Sequence, residues 1–429
     1  MNNRNLNNAA WERLFDKYDI LRHVESEGFF NISATQIKEF REPRLMAKFD
    51  HTSSLPQLFA SNRLAILPIT RGDYIIAHFD AYHKFETGTL PVTKVSLPPH
   101  IQSLDSNNIP SESISLNCAV ASGIIADFME DSGIVATVSG RMGSGSFSFN
   151  IKDTKTGCFH QVAVNNSQIE IDAAYEGISS LALFEAKRDL SEDFLIRQLY
   201  YPFRVWQSRV TKPVRPIFLV YSNGIYRLFE YAFEDPHHYC SLQLVKQKNY
   251  SVEDTAISMS DIQSVLENAI VVDEPKVPFP QADKFERIIN LCELVSMQEL
   301  SRTDITERYD FDARQTNYYT DAARYLGLLE KKKESGTPMY SISEAGQRIL
   351  NLGFKQRQLA YCNRILSHKA FNMSLRLYLQ AGALPATNDI IRIMKQSNLY
   401  QVESDSSYER RSSSIKGWVN WIIALTNKL

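Results

Sequence analysis

Cysteine is scarce and scattered. Cys118, Cys158, Cys240, Cys292 and Cys362 form no Cys-x-x-Cys pair and no zinc-type spacing. That pattern argues against a disulfide scaffold or a zinc ribbon and favours free thiols in a reducing cytoplasm. No apolar run approaches the ~20 residues of a membrane span, so no membrane partner is expected. The opening run MNNRNLNNAAWERLFDKYD is polar and then helix-like, unlike a secretory signal. Neither a P-loop nor a dinucleotide fingerprint occurs, so no energy-coupled translocation is expected. A strong overall charge is also missing: 47 Lys and Arg stand against 49 Asp and Glu, a net of −2 at pH 7.

The chain has 429 residues, 44% hydrophobic and 22% charged, which suits two to four soluble domains with ample core. Its near-neutral total hides an asymmetry. From Phe354 to Leu429 there are eleven Lys and Arg and four Asp and Glu, a net of +7. Such a patch is the electrostatic footprint of a nucleic-acid partner.

The most informative stretch runs from Gln168 to Trp206. Ile169, Ile171 and Ala173 alternate with Glu170, Asp172 and Ala174, as in a strand. A turn follows at Glu176-Gly177-Ile178-Ser179, then the short apolar run Leu181-Ala182-Leu183-Phe184 and the triplet Glu185-Ala186-Lys187. Residues two apart in a strand share a face, so Glu185 and Lys187 point the same way, and Asp172 joins them if the two strands pair. Carboxylates beside apolar strands need a cation or a donor. Mg²⁺ takes oxygen ligands and keeps waters that a phosphate can replace. A salt bridge of Lys187 to either carboxylate is the structural alternative. Next, Asp189 or Ser191 is expected to cap a helix with Glu192-Asp193 in its first turn, carrying Arg197, Gln198, Tyr201 and Arg204.

Asp172, Glu185 and Lys187 resemble the D…(D/E)xK core of the PD-(D/E)xK nuclease superfamily. IEID, FEAK and RQLYYPFRVW resemble type II restriction endonucleases within it, with Ile171 where proline is nominal. The resemblance implies an α/β (α+β, multidomain) fold: a restriction-endonuclease-like mixed sheet flanked by helices, followed by winged-helix domains. It implies Mg²⁺-dependent phosphodiester hydrolysis (Mn²⁺ as a possible substitute), with Asp172, Glu185 and the Ala186 carbonyl on the metal and Lys187 handling the water. Gln198 is a secondary catalytic candidate by the same resemblance, and Glu130, at the end of an expected helix Leu116–Met129, is a weaker one.

Around this core the sequence predicts four regions. Residues 1–100 form an N-terminal accessory or DNA-binding domain. Its Phe30–Ser33 strand and cap, Leu64–Pro68 and Tyr74–Ala77 strands, and Arg41, Arg44 and Lys48 are the features of interest. A Pro- and Ser-rich loop runs from Thr87 to Ser115. Residues 101–272 hold the catalytic core. Within it GRMGSGSFSFNI, with Arg141, reads either as a loop that tracks a DNA backbone or as a tight hairpin. Asn223-Gly224 is a strong hairpin signal. His160 and His237-His238 read as structural. After the Pro275–Pro280 boundary, residues 281–353 follow winged-helix order. The third helix, from Asp312, carries Arg314, Gln315, Asn317 and Tyr318, and the Lys331–Pro338 loop with Lys332 forms the wing. This module nets −2, and partnership with protein is the alternative. Residues 354–429 resemble a second winged-helix-like unit whose closing helix, capped by Ser404 or Ser406, offers Tyr408, Arg410, Arg411, Ser412 and Lys416.

The expectation is a cytoplasmic type II restriction endonuclease that cuts double-stranded DNA as a homodimer or a transient dimer on DNA. A methyltransferase is expected as a genomic neighbour, not as a subunit. A repair, recombination or transposition nuclease is the alternative of like chemistry; a non-catalytic winged-helix DNA-binding regulator is the alternative of another class.

Overall fold

The Ile169/Ile171 alternation and the Leu181–Phe184 run become neighbouring strands of one mixed sheet. In this computed structural model the described residues are 3–86, 88, 90–106, 108–253, 256–308, 311, 313–334 and 336–427. Thr87 and Asn107 of the Pro- and Ser-rich loop, Asp312 at the expected helix start and Ser335 in the expected wing lie outside them.

Six strands succeed one another in the sheet in chain order: β1 (Val135–Gly143), β2 (Gln168–Glu176), β3 (Leu181–Lys187), β4 (Val214–Ser222), β5 (Ile225–Phe233) and β6 (Leu242–Ser251). β1–β2 and β2–β3 are antiparallel, while β3–β4 is parallel, so the sheet is mixed. A parallel pair needs a crossover. Here it is formed by the short strand Asp193–Leu195 and helix α2 (Arg197–Gln207). Before β1 lies helix α1 (Glu112–Ala121), capped by Ser111, whose hydroxyl accepts the Ile114 N–H at 3.2 Å. Both α1 and α2 pack on β2 and β3. Asn223 and Gly224, with φ of 53° and 73°, turn β4 into β5, the left-handed pair that a two-residue hairpin requires.

Two expectations change. The apolar run 116–129 is two helices, because Ser122 and Gly123 (φ 78°) break it before Ile124–Met129. Neither Asp189 nor Ser191 caps a helix. Phe194, Leu195 and Ile196 are consecutive buried residues, which suits a strand buried on both faces, and Asp193–Leu195 pairs with Tyr82–Lys84. The helix therefore begins only at Arg197.

The described residues divide into two compact units. The first comprises 1–88, 111–221 and 226–248, the second 89–110, 222–225 and 249–429. Within the first, the N-terminal helices and the three-stranded sheet Phe29–Ser33, Asp73–Ala77 and Ala65–Pro68 enclose a core of Trp11, Leu14, Phe59 and Ile76. Ser33 and Gln36 form a reciprocal capping box at the first strand's end.

In the second unit, Val92–Lys94 pairs in parallel with Asn249–Ser251, a strand where the sequence predicts only a loop. Helix α3 (Phe285–Met297), the short strand Leu300–Ser301, helices α4 (Arg302–Arg308) and α5 (Ala313–Tyr325), and the hairpin Leu329–Glu334/Thr337–Ile342 follow in that order. Then come five helices, Glu344–Leu350, Phe354–Leu366, Lys369–Ala381, α6 (Thr387–Lys395) and α7 (Asp405–Ala424), with Ser404 capping the last. Among the described residues 354–427 contain no strand, so a second wing has nothing to be built from. The two expected C-terminal modules also share one apolar core: Trp418 of α7 meets Phe285 of α3 edge to face, Trp421 lies tilted against the same ring, and the Trp418 indole N–H donates to the Ala282 carbonyl at 2.6 Å. No helix among the described residues is long and apolar enough to cross a membrane.

Candidate functional site

β2 and β3 pair from Glu176/Leu181 to Ala173/Phe184 and then part. One step further along this register, Asp172 would face Glu185. The ladder ends there because the Asp172 side chain takes over: its Oδ2 accepts the Ala186 N–H at 2.8 Å. β3 stays paired with β4 as far as Lys187. Leu181, Leu183, Glu185 and Lys187 occupy one face of β3, so an apolar face turns polar at its last two positions. The Lys187 ammonium donates to Glu185 Oε1 at 2.5 Å, and Gln198 Nε2, in the first turn of α2, donates to the same oxygen at 2.7 Å. The structure thus brings Asp172, Glu185, Ala186, Lys187 and Gln198 together.

Of these, Asp172, Glu185, Lys187 and Gln198 line a cavity of about 220 Å³. Four of its charged residues come from elsewhere in the first unit: Lys48 and Asp50 from the N-terminal region, Glu112 from the first turn of α1, and Arg141 from β1. Glu112 and Asp50 carry no local signal in the sequence. Glu112 arrives because Ser111 fixes the helix start. Asp50 arrives because the next two residues are clamped: buried His51 holds the Asp193 carbonyl at 2.7 Å and lies 3.4 Å from Asp189 Oδ2, and the Thr52 N–H donates to Asp193 Oδ1 at 3.0 Å.

Burial shapes the charges. It pushes Glu185 up to about 7, against the pull of Lys187 and with the help of Asp172. Burial alone would lower Lys187, but Glu185, Glu112, Asp50 and Asp172 outweigh it and hold the ammonium protonated. Burial likewise raises Glu112, opposed by Lys187. The pocket holds one deeply buried cation among several carboxylates, an acidic excess suited to a further cation. Asp172, Glu185 and the Ala186 carbonyl are hard oxygen donors of the kind Mg²⁺ accepts. Among the described residues no group of three or more His, Cys, Asp and Glu is arranged to hold a metal ion. Two carboxylates would supply only part of an octahedral shell and leave the rest to water and substrate.

Of the other expected residues, Lys48 and Arg141 line the cavity and the rest fall elsewhere. Glu130 is exposed and paired with Lys246, whose ammonium also reaches the Phe128 carbonyl at 2.8 Å, so it does not join the cavity. Gly140 to Gly143 belong to β1, and Ser144-Gly145 lead into the strand Ser146–Lys152, which pairs with Phe159–Asn165 and not with β1, so the stretch is neither a phosphate-tracking loop nor a tight hairpin. Arg141 faces Glu170 on β2 at 3.2 Å. Arg44 is exposed and Arg41 half-buried near Pro43–Met46, and Lys48 lies 3.7 Å from Asp50. His160 is held by buried Asp153 at 3.2 Å.

In the second unit Arg314 is exposed on α5 and donates to the Tyr318 hydroxyl, with Gln315 and Asn317 half-buried beside them. Lys332 is exposed on the hairpin, 3.7 Å from Glu299. Tyr408 lies under the Lys395 ammonium, and Lys416 donates to Thr387 Oγ1 at 2.7 Å instead of facing outward free. Burial, then the adjacent Arg410, lowers the pKa of Arg411, while Tyr318 and Asp321 of α5 pull it back. Nε and Nη1 of Arg411 are buried without an acceptor. Arg411 of α7 is thus within electrostatic reach of Tyr318 and Asp321 on α5.

Three family models match the chain, each described as a domain of unknown function: DUF6996 over residues 8–76, DUF6997 over 77–251 and DUF7226 over 287–427. The second of these spans Asp172, Glu185, Lys187 and Gln198. Comparison with curated proteins and with solved structures gave no match.

Proposed function

We propose that the chain is a divalent-metal-dependent deoxyribonuclease of the PD-(D/E)xK type, and within that type a type II restriction endonuclease acting on double-stranded DNA at a short specific sequence. The convergence of Asp172, Glu185 and Lys187 where β2 and β3 part carries this reading. The helix–strand–helix–helix–hairpin order of residues 285–342 supports a winged-helix module, and the basic start of α7 beside α5 supports a DNA surface built from both.

Asp172 and Glu185, with the Ala186 carbonyl, are the residues that would hold Mg²⁺ or Mn²⁺. When bound, the ion would supply Lewis acidity at a phosphoryl oxygen and an acidified water. The side chains of this chain do the rest. Gln198 and Lys187 fix the Glu185 carboxylate, which lines the cavity, through one of its oxygens. Asp172 is held by the Ala186 amide, so both carboxylates are oriented before substrate arrives. Lys187 stays protonated in its acidic surroundings, so its first role is to donate to the attacking water or the phosphate and offset negative charge in the transition state.

The Lys187–Glu185 ion pair is also what a non-catalytic DNA-binding protein that kept the core would show. Digestion of unmethylated phage DNA with Mg²⁺, followed by end sequencing, decides. Discrete fragments with one shared end sequence are expected, and K187A should abolish them while leaving DNA binding intact. Cleavage only at branches or ends would favour a repair or recombination nuclease. Tight binding without any nicking would favour the regulator. Undiminished cleavage by K187A would remove the basis of the assignment.

A further inference from the structure

Four cations line the cavity, and three already have acidic partners within 4 Å. Lys187 is on Glu185, Lys48 on Asp50 and Arg141 on Glu170. The fourth is Arg197, at the first position of α2, next to Gln198. Among the described residues it has no acidic partner within 4 Å, and its Nε is buried without an acceptor. Its guanidinium lies 5.6 Å from the centroid of the Tyr201 ring one turn on. A cation–π contact steadies the plane of the group and leaves its N–H fork unspent. The helix start adds no competing acceptor, since Ile196 offers no side-chain cap.

A guanidinium Nε buried without an acceptor is costly to keep, because desolvation is incurred and no acceptor is gained. The cavity is also acidic on balance: five lining carboxylates face four cations. A phosphodiester brought into it meets repulsion from Asp172, Glu112 and Glu185 unless a cation answers it. Among the described residues that line the cavity, Arg197 is the one cation without an acidic partner within 4 Å, and a planar fork matches two oxygens of a phosphate.

We infer that Arg197 is the phosphate-binding group of this cavity and grips the non-bridging oxygens of the scissile phosphodiester. The inference rests on the nuclease reading for the identity of the phosphate, but not for the existence of an anion site. Its position beside Gln198 couples the two roles: one α2 turn holds the Glu185 carboxylate with Gln198 and the substrate with Arg197.

The test uses the full-length protein in two assays. In EDTA, ³¹P line broadening with inorganic phosphate should show saturable binding to the wild type, weakened tenfold or more in R197A and partly recovered in R197K. In Mg²⁺, single-turnover digestion of phage DNA at saturating enzyme should slow at least a hundredfold in R197A and less in R197K. Circular dichroism and melting establish that each variant is folded; if R197A is not, R197Q takes its place. Phosphate binding by R197A equal to wild type, no phosphate binding by the wild type, or wild-type cleavage by R197A would each overturn the inference. Arg197-dependent phosphate binding in a protein that cuts no DNA would support the anion site and remove the nuclease reading. Cleavage indifferent to Arg197 would do the reverse.

Discussion

Replacing Glu185 by glutamine removes a charge and keeps the shape, which makes it the sharpest probe of how the cavity is built. The side chain is 12% exposed, so solvent screens it little. Burial drives its pKa from 4.5 to about 7. The unfolded chain releases this proton near the ordinary value, the folded chain only near neutrality. Between those values the folded state holds a proton that the unfolded state lacks. The contribution of Glu185 to stability is therefore complete below about pH 4.5, falls as pH rises, and is lost above about 7. At 1.36 kcal/mol per pH unit the total is about 3 kcal/mol.

The measurement is amide hydrogen exchange in peptides spanning Leu181–Lys187, in EDTA, corrected for the intrinsic pH dependence of exchange. The opening free energy of wild type minus that of E185Q should decline by about 3 kcal/mol between pH 4.5 and 7.5. Groups common to both proteins cancel in the difference, Asp189 and Glu112 among them. Adding Ca²⁺ at pH 7.5 should raise the wild type and leave E185Q much less affected, because a cation beside an ionised carboxylate restores what burial took away. A difference that is flat with pH, or that rises with it, would refute the claim that burial dominates this carboxylate.

Three further outcomes follow from other contacts. Q198A removes the 2.7 Å bond to Glu185 and should lower single-turnover DNA cleavage about tenfold with little change in melting temperature; equal rates would show that Glu185 needs no such support. G417A would set a methyl group 2.2 Å from the Asp283 carbonyl oxygen, so α7 must shift off α3; a loss of roughly 3 kcal/mol is expected in urea unfolding followed by Trp418 and Trp421 fluorescence, and a loss below about 0.5 kcal/mol would contradict the packing. The double variant R410A/R411A should reduce the slope of log affinity for duplex DNA against log salt by about 2; an unchanged slope would place the DNA surface elsewhere.

How much of this was legible follows from where each signal lies. Asp172, Glu185 and Lys187 are separated by fifteen positions at most and sit on strands of period two, so their shared face could be read from spacing alone. The Asn223-Gly224 turn was legible because few residues tolerate its two left-handed conformations. The start of α2 was misread for an equally local reason. Ser191-Glu192-Asp193 has the chemistry of a helix cap, but Asp193 spends its carboxylate on Thr52, far away in sequence, and Phe194-Leu195-Ile196 is buried on both sides. Similarly, Ser122-Gly123 breaks an apolar run that hydrophobicity alone continues.

What no local pattern could supply is the rest of the cavity's charge. Lys48, Asp50 and Glu112 are placed by a histidine clamp at His51 and a helix cap at Ser111, both more than fifty residues from the catalytic triplet in sequence. The C-terminal half shows the same rule at larger scale. Residues 285–350 and 354–425 read as separate modules because each has its own helical periodicity. Yet Trp418 donates to Ala282 and Gly417 lets α7 close onto Asp283, so one apolar core spans both. The same core holds residues of α5 and α7, and Arg411 feels the charge of Tyr318 and Asp321. A variant that loosens α7 from α3 should therefore weaken DNA binding even with every basic residue intact, and comparison of G417A with R410A/R411A separates a lost surface from lost charges.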